Sequence, residues 1–514
     1  MSFGIPVRNG LGIGLRASTA LSTRGGVPPG APTSVTATSS TATTASVSFT
    51  APASPGIPAV ITSYTVTSSP GGITATGSSS PITVTGLTTG TTYTFTVTAT
   101  NASGTGPASA ASNSVTPADP SYMAVLKDAS ISLYGTGGDI DSSGNIYSVG
   151  YADTVGNDPI VLTKYNSAGT ILFQYAYTKS GTNFREARCA VASNGDIYIW
   201  SRDEGDVGNL IRLDSSGVVQ WAGTHSTSMG SGGPIYIDGS TIYTGAFTSS
   251  GALLCSFSAS GTLNWTRRFS TSGRSGQVLA ITVSPSGFVY VGGTTNISGG
   301  NNATIVRLDA SGNNVWIREV SVGSNASVGA ITTDASDNLY VAFNSSSFSG
   351  INVYNSSFGG VLSTNTSSAV SINNMQRDGS GNIYAYDGSA RLFKLNSSFS
   401  QQFQRLISGT SQSFNYGFMK VLGGRIYVNA NNNNSSVSRL NFFAMKVPDD
   451  GTLTGTRSVA GVDYSYATSA TYSWSAGSTP SSFTSASQST VSASFTGVTV
   501  TQSTPAYTQT VTTF

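Results

Sequence analysis

Seven times in this chain a tight polar turn leads into a strand that carries a tyrosine. The copies are DSSGNIY at 141–147, SNGDIY at 193–198, DGSTIY at 238–243, SPSGFVY at 284–290, DASDNLY at 334–340, DGSGNIY at 378–384 and LGGRIY at 422–427. Their tyrosines, Tyr147, Tyr198, Tyr243, Tyr290, Tyr340, Tyr384 and Tyr427, recur every 43 to 51 residues. A second motif follows each of the first six: TKYNSAGTILF at 163–173, IRLDSSGVVQW at 211–221, CSFSASGTLNW at 255–265, VRLDASGNNVW at 306–316, NVYNSSFGGVL at 352–362 and FKLNSSFSQQF at 393–403. Each motif reads strand, turn of Asp/Asn-x-Ser-Gly type, strand, so one repeat is two hairpins, or four strands.

One copy, DIDSSGNIYSVG at 139–150, also looks like the start of a calcium loop. Counting twelve positions from Asp139, where such a loop needs a carboxylate, gives Gly150. The acid belongs to the turn grammar. Phe173, Trp221, Trp265, Trp316, Leu362 and Phe403 share one repeat position. A ring or large apolar group placed once per repeat predicts packing between neighbouring units.

Residues 119–458 as a whole resemble the β-propeller repeat family whose units read D-x-x-G-N-x-Y and L-D-x-S-G-x-x-x-W. The resemblance implies seven four-stranded blades around an axis. Residues 122–126, YMAVL, are available to complete the last blade and close the ring; Gly455 to Val459 is the alternative.

The preceding segment, 29–118, alternates apolar and hydroxylic residues, as at Val47 and Phe49, then Ile61, Tyr64 and Val66. Its second half, ITVTGLTTGTTYTFTVTATNASGTGPAS, places Leu87, Gly90, Tyr93, Phe95, Val97, Ala99 and Asn101 in a pattern that resembles a fibronectin type III domain. The resemblance implies a tyrosine corner at Leu87 to Tyr93, and Phe49 stands where that family usually has a core tryptophan. The fold class expected for the chain is therefore all-β: a sandwich, a propeller and a short β segment over 459–514. In that segment no charge follows Asp463, and Tyr464, Tyr466, Tyr472 and Trp474 alternate along it. Such a strand needs a cover, and pairing with another subunit is expected over packing on the propeller.

Composition narrows function. With 9% charged residues and a formal charge of +2, the 24 basic residues are matched by 22 acidic ones, which argues against nucleic-acid binding. No run is apolar enough to span a membrane, and no export signal opens the chain. Gly10, Gly12 and Gly14 lack the strand and Gly-Lys-Ser/Thr of a nucleotide loop. No catalytic, cofactor or metal residue is assigned: His225 is the single histidine, Cys189 and Cys255 read as buried thiols, and only Glu186, Glu204 and Glu319 stand beside the turn aspartates. The Asn-x-Ser/Thr triplets follow from composition.

What remains is binding through variable loops: YADTVGNDP from 151, SRDEGDVGN from 201, GGTTNISGGNNA from 292 and VNANNNNSSVS from 428. The receptor-facing candidates there are Asp203, Glu204, Asp206, Asn296, Asn301, Asn302, Asn431, Asn432, Asn433 and Asn434. Neutral donors and acceptors suit a glycan or a protein partner. The opening MSFGIPVRNGLGIGLRAST and the stretch DDGTLTGTRSVAGVDYSYATS resemble bacteriophage virion proteins, above all tail-associated ones. That resemblance implies a virion location, docking on other virion proteins through residues 1–28, a homo-oligomer, and a host-surface receptor. A secreted adhesin or surface-layer protein, and less so a carbohydrate-degrading enzyme, are the alternatives.

Overall fold

The computed structural model describes residues 25–117, except 42, 89 and 90, and residues 122–513, except 128–131, 155, 157, 271–274, 298–299, 321–324, 347–348, 358–360, 368–370, 388–390, 410–411, 435–438, 450–454, 460–461, 469–474, 477–482, 485–486, 491–494, 498–500 and 504–507. The described residues form strands and turns and no helix, so none is long and apolar enough to cross a membrane. The chain divides into two compact units, Met1–Asp119 and Pro120–Phe514.

The first unit is a sandwich. One sheet orders Thr33–Thr41, Thr44–Thr50 and Ile82–Val84; the other orders Thr74–Gly77, Ile61–Ser69, Thr94–Asn101 and Gly104–Thr105. Thr94–Asn101 buries every second residue, Phe95, Val97 and Ala99, as period-two alternation requires. Phe49 fills the layer beside Tyr64, ring centroids 4.8 Å apart. The Thr88 amide donates to the Tyr93 hydroxyl at 3.0 Å, which is the tyrosine corner.

The second unit is a propeller of seven blades, spanning 132–178, 184–228, 231–270, 276–320, 327–367, 372–409 and 412–448. The first six hold four antiparallel strands each. The last supplies three of its own and takes its fourth from Tyr122–Lys127, which pairs with Arg439–Pro448 through Leu126↔Phe442 to Tyr122↔Lys446. Of the two closures open to the sequence, the N-terminal strand is the one used. Gly455–Val459 instead forms a hairpin with Val462–Thr468.

Middle strands such as Ser349–Tyr354 are buried at every position because both faces of a blade meet a neighbour. Separate apolar layers fill the gaps. Tyr147, Leu162, Ile197 and Ile211 lie between blades one and two, and Val291, Val306, Leu254 and Val278 between three and four. Each fully buried side chain of this size contributes roughly 1.5–3 kcal/mol.

The last part of the chain departs from the sequence expectation. Its described strands pair with this chain's own blades, the arrangement that the sequence reading ranks second. Val462–Thr468 lies along blade six, Ser475–Ala476 along five, Phe483–Thr484 along four and Ser487–Thr490 along three. Phe495–Gly497, Thr501–Ser503 and Thr508–Thr513 then follow blades two, one and seven. The segment is a belt that runs round the rim against the order of the blades, adding a fifth strand to each. The reason is physical: the outer strand of every blade leaves a row of unpaired backbone groups, and an uncharged Ser/Thr-rich strand can pair with any of them. Tyr464 and Tyr466 sit in the first belt strand; Tyr472 and Trp474 lie outside the described residues.

Candidate functional site

Strands within a blade alternate in direction, so the first and third turns of the first six blades and the first turn of the seventh fall at one end of the disc, and the second turn of each falls at the other with the connection to the next blade. The repeated motifs occupy the first end. There the Asp141 carboxylate accepts from the Ser143 and Asn145 amides at 3.0 and 2.9 Å and from the Tyr147 hydroxyl at 3.0 Å. Asp334 and Asp378 accept from the matching amides. These acids are spent on local donors, as turn-forming Asp residues are. Gly144 has φ +78°, and Asp337 holds the same left-handed position at φ +60°.

A second layer rivets the blades together at this end. Lys164 donates to the Ser215 carbonyl of the next blade, Arg212 to Ala259, Arg307 to Ser356, Lys394 to Asp449, and Lys446 of the last blade to Ser167 of the first. The third blade has Ser256 at this position, and Arg267 reaches Gly312 instead, at 2.7 Å. Several of the cations also lie over repeat aromatics, as Lys164 does over Tyr147 and Lys394 over Tyr384, each at 4.9 Å. In the first four blades the aromatic of the outer strand, Phe173, Trp221, Trp265 or Trp316, follows a β-bulge and packs against the next blade. Trp221 sits 6.2 Å from Tyr198, donates to Ala259, and packs on Gly261.

The other end carries the variable hairpins, and all four sequence-singled loops open there. The structure divides their candidate residues. Asp203 is buried, takes the Lys179 ammonium at 2.8 Å, and accepts from the Gly205 and Val207 amides. It is a turn-maker and not a surface acid. Glu204 is exposed and accepts from Asn183 at 2.8 Å. Asp206, at φ +58°, pairs with Arg202 at 2.5 Å. Asn296 is exposed, and Asn301 and Asn302 lie across the hairpin from it, in register through Asn296↔Asn301. Asn431 to Asn434 are not in a loop but extend the strand Arg425–Asn434, paired on both edges; their side chains lie outside the described residues.

Sequence reasoning missed the axial mouth of this end. The innermost strand of every blade has one extra residue near its variable end, within the stretches 135–137, 185–187, 232–235, 278–280, 328–330, 372–374 and 415–417. Seven bulges thus ring the axis, bending each inner strand at one level. Glu186 occupies one of them at φ +48°, and its carboxylate accepts from the Gly232 amide of the next blade at 2.7 Å while facing Arg202 at 3.6 Å. Nearby, Tyr134 and Tyr151 stack at 4.8 Å with planes 6° apart, and Arg185 covers Tyr151 while pairing with Asp158. Burial raises the Tyr151 hydroxyl above its ordinary value. Glu186, Asp158, Asp203 and Asp206 each pair with a cation of the chain, and Glu204 is held by the Asn183 amide. The face offers hydrogen bonds and ring surfaces.

His225 is not a loop residue. It lies in Val219–Ser228, buried, with Nε2 3.4 Å from the Cys255 thiol and from Thr266 Oγ1. Burial lowers its pKa to about 4 and pushes the Cys255 thiol up to about 12. The Thr227 amide donates to Nδ1, so the proton of the neutral ring sits on Nε2. That nitrogen cannot take a proton from the thiol, and the pair does not make a thiolate nucleophile. Cys189 is also free and buried. Among the described residues no group of three or more His, Cys, Asp or Glu is placed to hold a metal ion.

Residues 30–115 match the family model for the fibronectin type III domain, and residues 204–396 that for the outer membrane protein assembly factor BamB. Among solved structures, the chain is similar to the C-terminal WD40 domain of Sif2, with TM-score 0.39 and 10% identity over 61% of this chain and 84% of that one. It is also similar to the WD40 β-propeller domain of Doa1, with TM-score 0.42 and 13% identity over 64% and 97%. No curated protein matches. A fibronectin type III domain and a propeller in one chain suggest a surface or adhesion-type protein.

Proposed function

We propose that this chain is a structural component of a bacteriophage particle, tail or fibre associated, and that it presents the variable end of its propeller to the host surface. The observation that carries the attachment part is the division of labour between the two ends of the disc. Turns that repeat are locked into the frame, while hairpins that differ from blade to blade gather at the opposite end with the axial mouth. Polar, internally neutralised groups beside stacked tyrosines suit a neutral glycan or a protein loop better than a charged polymer. Charge neutrality over the whole chain supports the same preference.

The particle part rests on the resemblance of the opening and late segments to virion proteins. Residues 1–28, too short to hold a core, would dock on other virion proteins, and several copies would act together. Mass spectrometry of purified particles tests this directly: the protein should be present in fixed copy number, and its absence would end the particle reading. A secreted adhesin is favoured instead if the protein is found on cells carrying no phage. Purified protein that released reducing sugar from host polysaccharide would revive the enzyme alternative.

A further inference from the structure

We infer that the C-terminal belt is a latch: its last strand seals the ring-closing strand, so that the propeller is held shut by both ends of its own chain. A propeller closed by one borrowed strand has a weak point. If Tyr122–Lys127 were held only by Arg439–Pro448, it would be an edge strand, free to peel residue by residue from one ladder. Here Thr508–Thr513 pairs with its other edge along the full length, from Lys127↔Thr508 to Tyr122↔Thr513. The strand that closes the ring therefore lies between two antiparallel partners. Removing it requires breaking both ladders together.

The path of the belt explains how this end is delivered. Between two and six residues separate one belt strand from the next, a reach of up to roughly 25 Å for the longest connection if extended. It pairs with the end of the outer strand nearest the variable hairpins at Ala176 to Thr178, Arg267 to Ser270 and Glu319 to Val320, and with the middle of the blade-two outer strand at Gly223 to His225. The rest of each of these outer strands is left uncovered by the belt. By the time the chain reaches blade seven it has been anchored at six places, so the final strand docks at high effective concentration. The segment before Tyr122 is the first unit, so any pull along the chain from that side falls on the sealed strand first.

The test uses the full chain with cysteine pairs at opposed register positions, Val125→Cys with Thr510→Cys and, separately, Ala124→Cys with Val511→Cys, so that both kinds of cross-strand pair are sampled. Single-cysteine variants serve as controls beside the buried native thiols. The latch predicts that at least one pair forms a disulfide within one chain, seen as a monomer with altered mobility on a non-reducing gel. It also predicts that deleting 499–514 raises hydrogen exchange of the Tyr122–Lys127 amides by about tenfold or more while leaving amides of blades three and four unchanged. Disulfides formed only between chains, or by neither pair, would overturn the inference. So would unchanged exchange at Tyr122–Lys127 after the deletion. If the truncated chain does not fold, the disulfide result alone decides.

Discussion

At the regular end of the propeller most blades offer the next a recurring set of groups, a cation, an aromatic ring and a turn carbonyl, whereas at the variable end the hairpins differ in length and composition. The difference lies in what each end must satisfy. Lys164, Arg212, Arg307, Lys394 and Lys446 each reach a carbonyl one blade away, so their turns must sit at fixed height and register. The variable hairpins are tied to the next connection by backbone bonds, as Met229 N is to the Asp206 carbonyl at 2.7 Å and Ala326 N to that of Asn301 at 2.7 Å. Backbone bonds accept any side chain. The regular end is thus constrained by a recurring set of side chains, whereas at the variable end fixed groups such as Asp203 and Asp158 hold single hairpins, and the exposed positions between them are where binding can diversify at least cost to the frame.

The comparison breaks if substitutions at the regular end are tolerated. Trp221→Ala should cost the most, about 3–4 kcal/mol, because it empties the space over Gly261 and removes the contact with Tyr198. The denaturation midpoint of the propeller reads it, and a loss under about 1 kcal/mol would deny the rivet its role. Next comes acid. His225 has a folded pKa near 4, below the ordinary 6.5 of the exposed ring, so its contribution is fully present above pH 6.5 and is lost as pH falls toward 4. The unfolded chain takes up the proton first, and the loss amounts to at most about 3 kcal/mol. Stability measured from pH 7 to 4 should fall more steeply in the native protein than in His225→Gln; parallel slopes would contradict the assignment.

A smaller effect is expected at Gly312, whose added Cβ would meet the Trp265 ring at 2.6 Å and whose φ is +77°. Gly312→Ala should cost about 2 kcal/mol, read by thermal midpoint. The smallest belongs to the variable end. Glu204→Ala should leave the midpoint within about 0.5 kcal/mol of the native value. A larger loss there would mean that this end, too, is part of the frame.

Much of the architecture was legible because the repeat is a pattern of side chains. The tyrosines from Tyr147 onward are buried or nearly so, Asp141, Asp334 and Asp378 hold their turns, and Phe173, Trp221, Trp265 and Trp316 pack between neighbouring blades as their spacing implied. The belt was not legible in that way. Its pairing uses backbone groups, which leave no residue signature, and Thr508 meets Lys127 from the far end of the chain. The axial bulges escaped for a related reason, since one extra residue in a strand changes register without changing composition. Asp203 was misjudged as a surface acid because its partners, Lys179 and the Gly205 and Val207 amides, belong to strand geometry that the loop sequence does not carry. His225 and Cys255 meet through a contact between blades that neither segment spells out. Trp221 reaches the carbonyl of Ala259, and counting four residues forward from one and four back from the other in antiparallel strands puts the histidine on the thiol.

The claim that one end of the disc binds and the other holds it together is tested most directly by adsorption of the purified full chain to host cells. Arginine is placed at exposed positions of either end: Glu204→Arg with Asn373→Arg at the variable end, and Ser142→Arg with Ser311→Arg at the regular end. Both pairs should leave the fold intact, and the first should weaken adsorption by about tenfold or more while the second leaves it unchanged. Adsorption lost through the regular-end pair and kept through the variable-end pair would contradict the account.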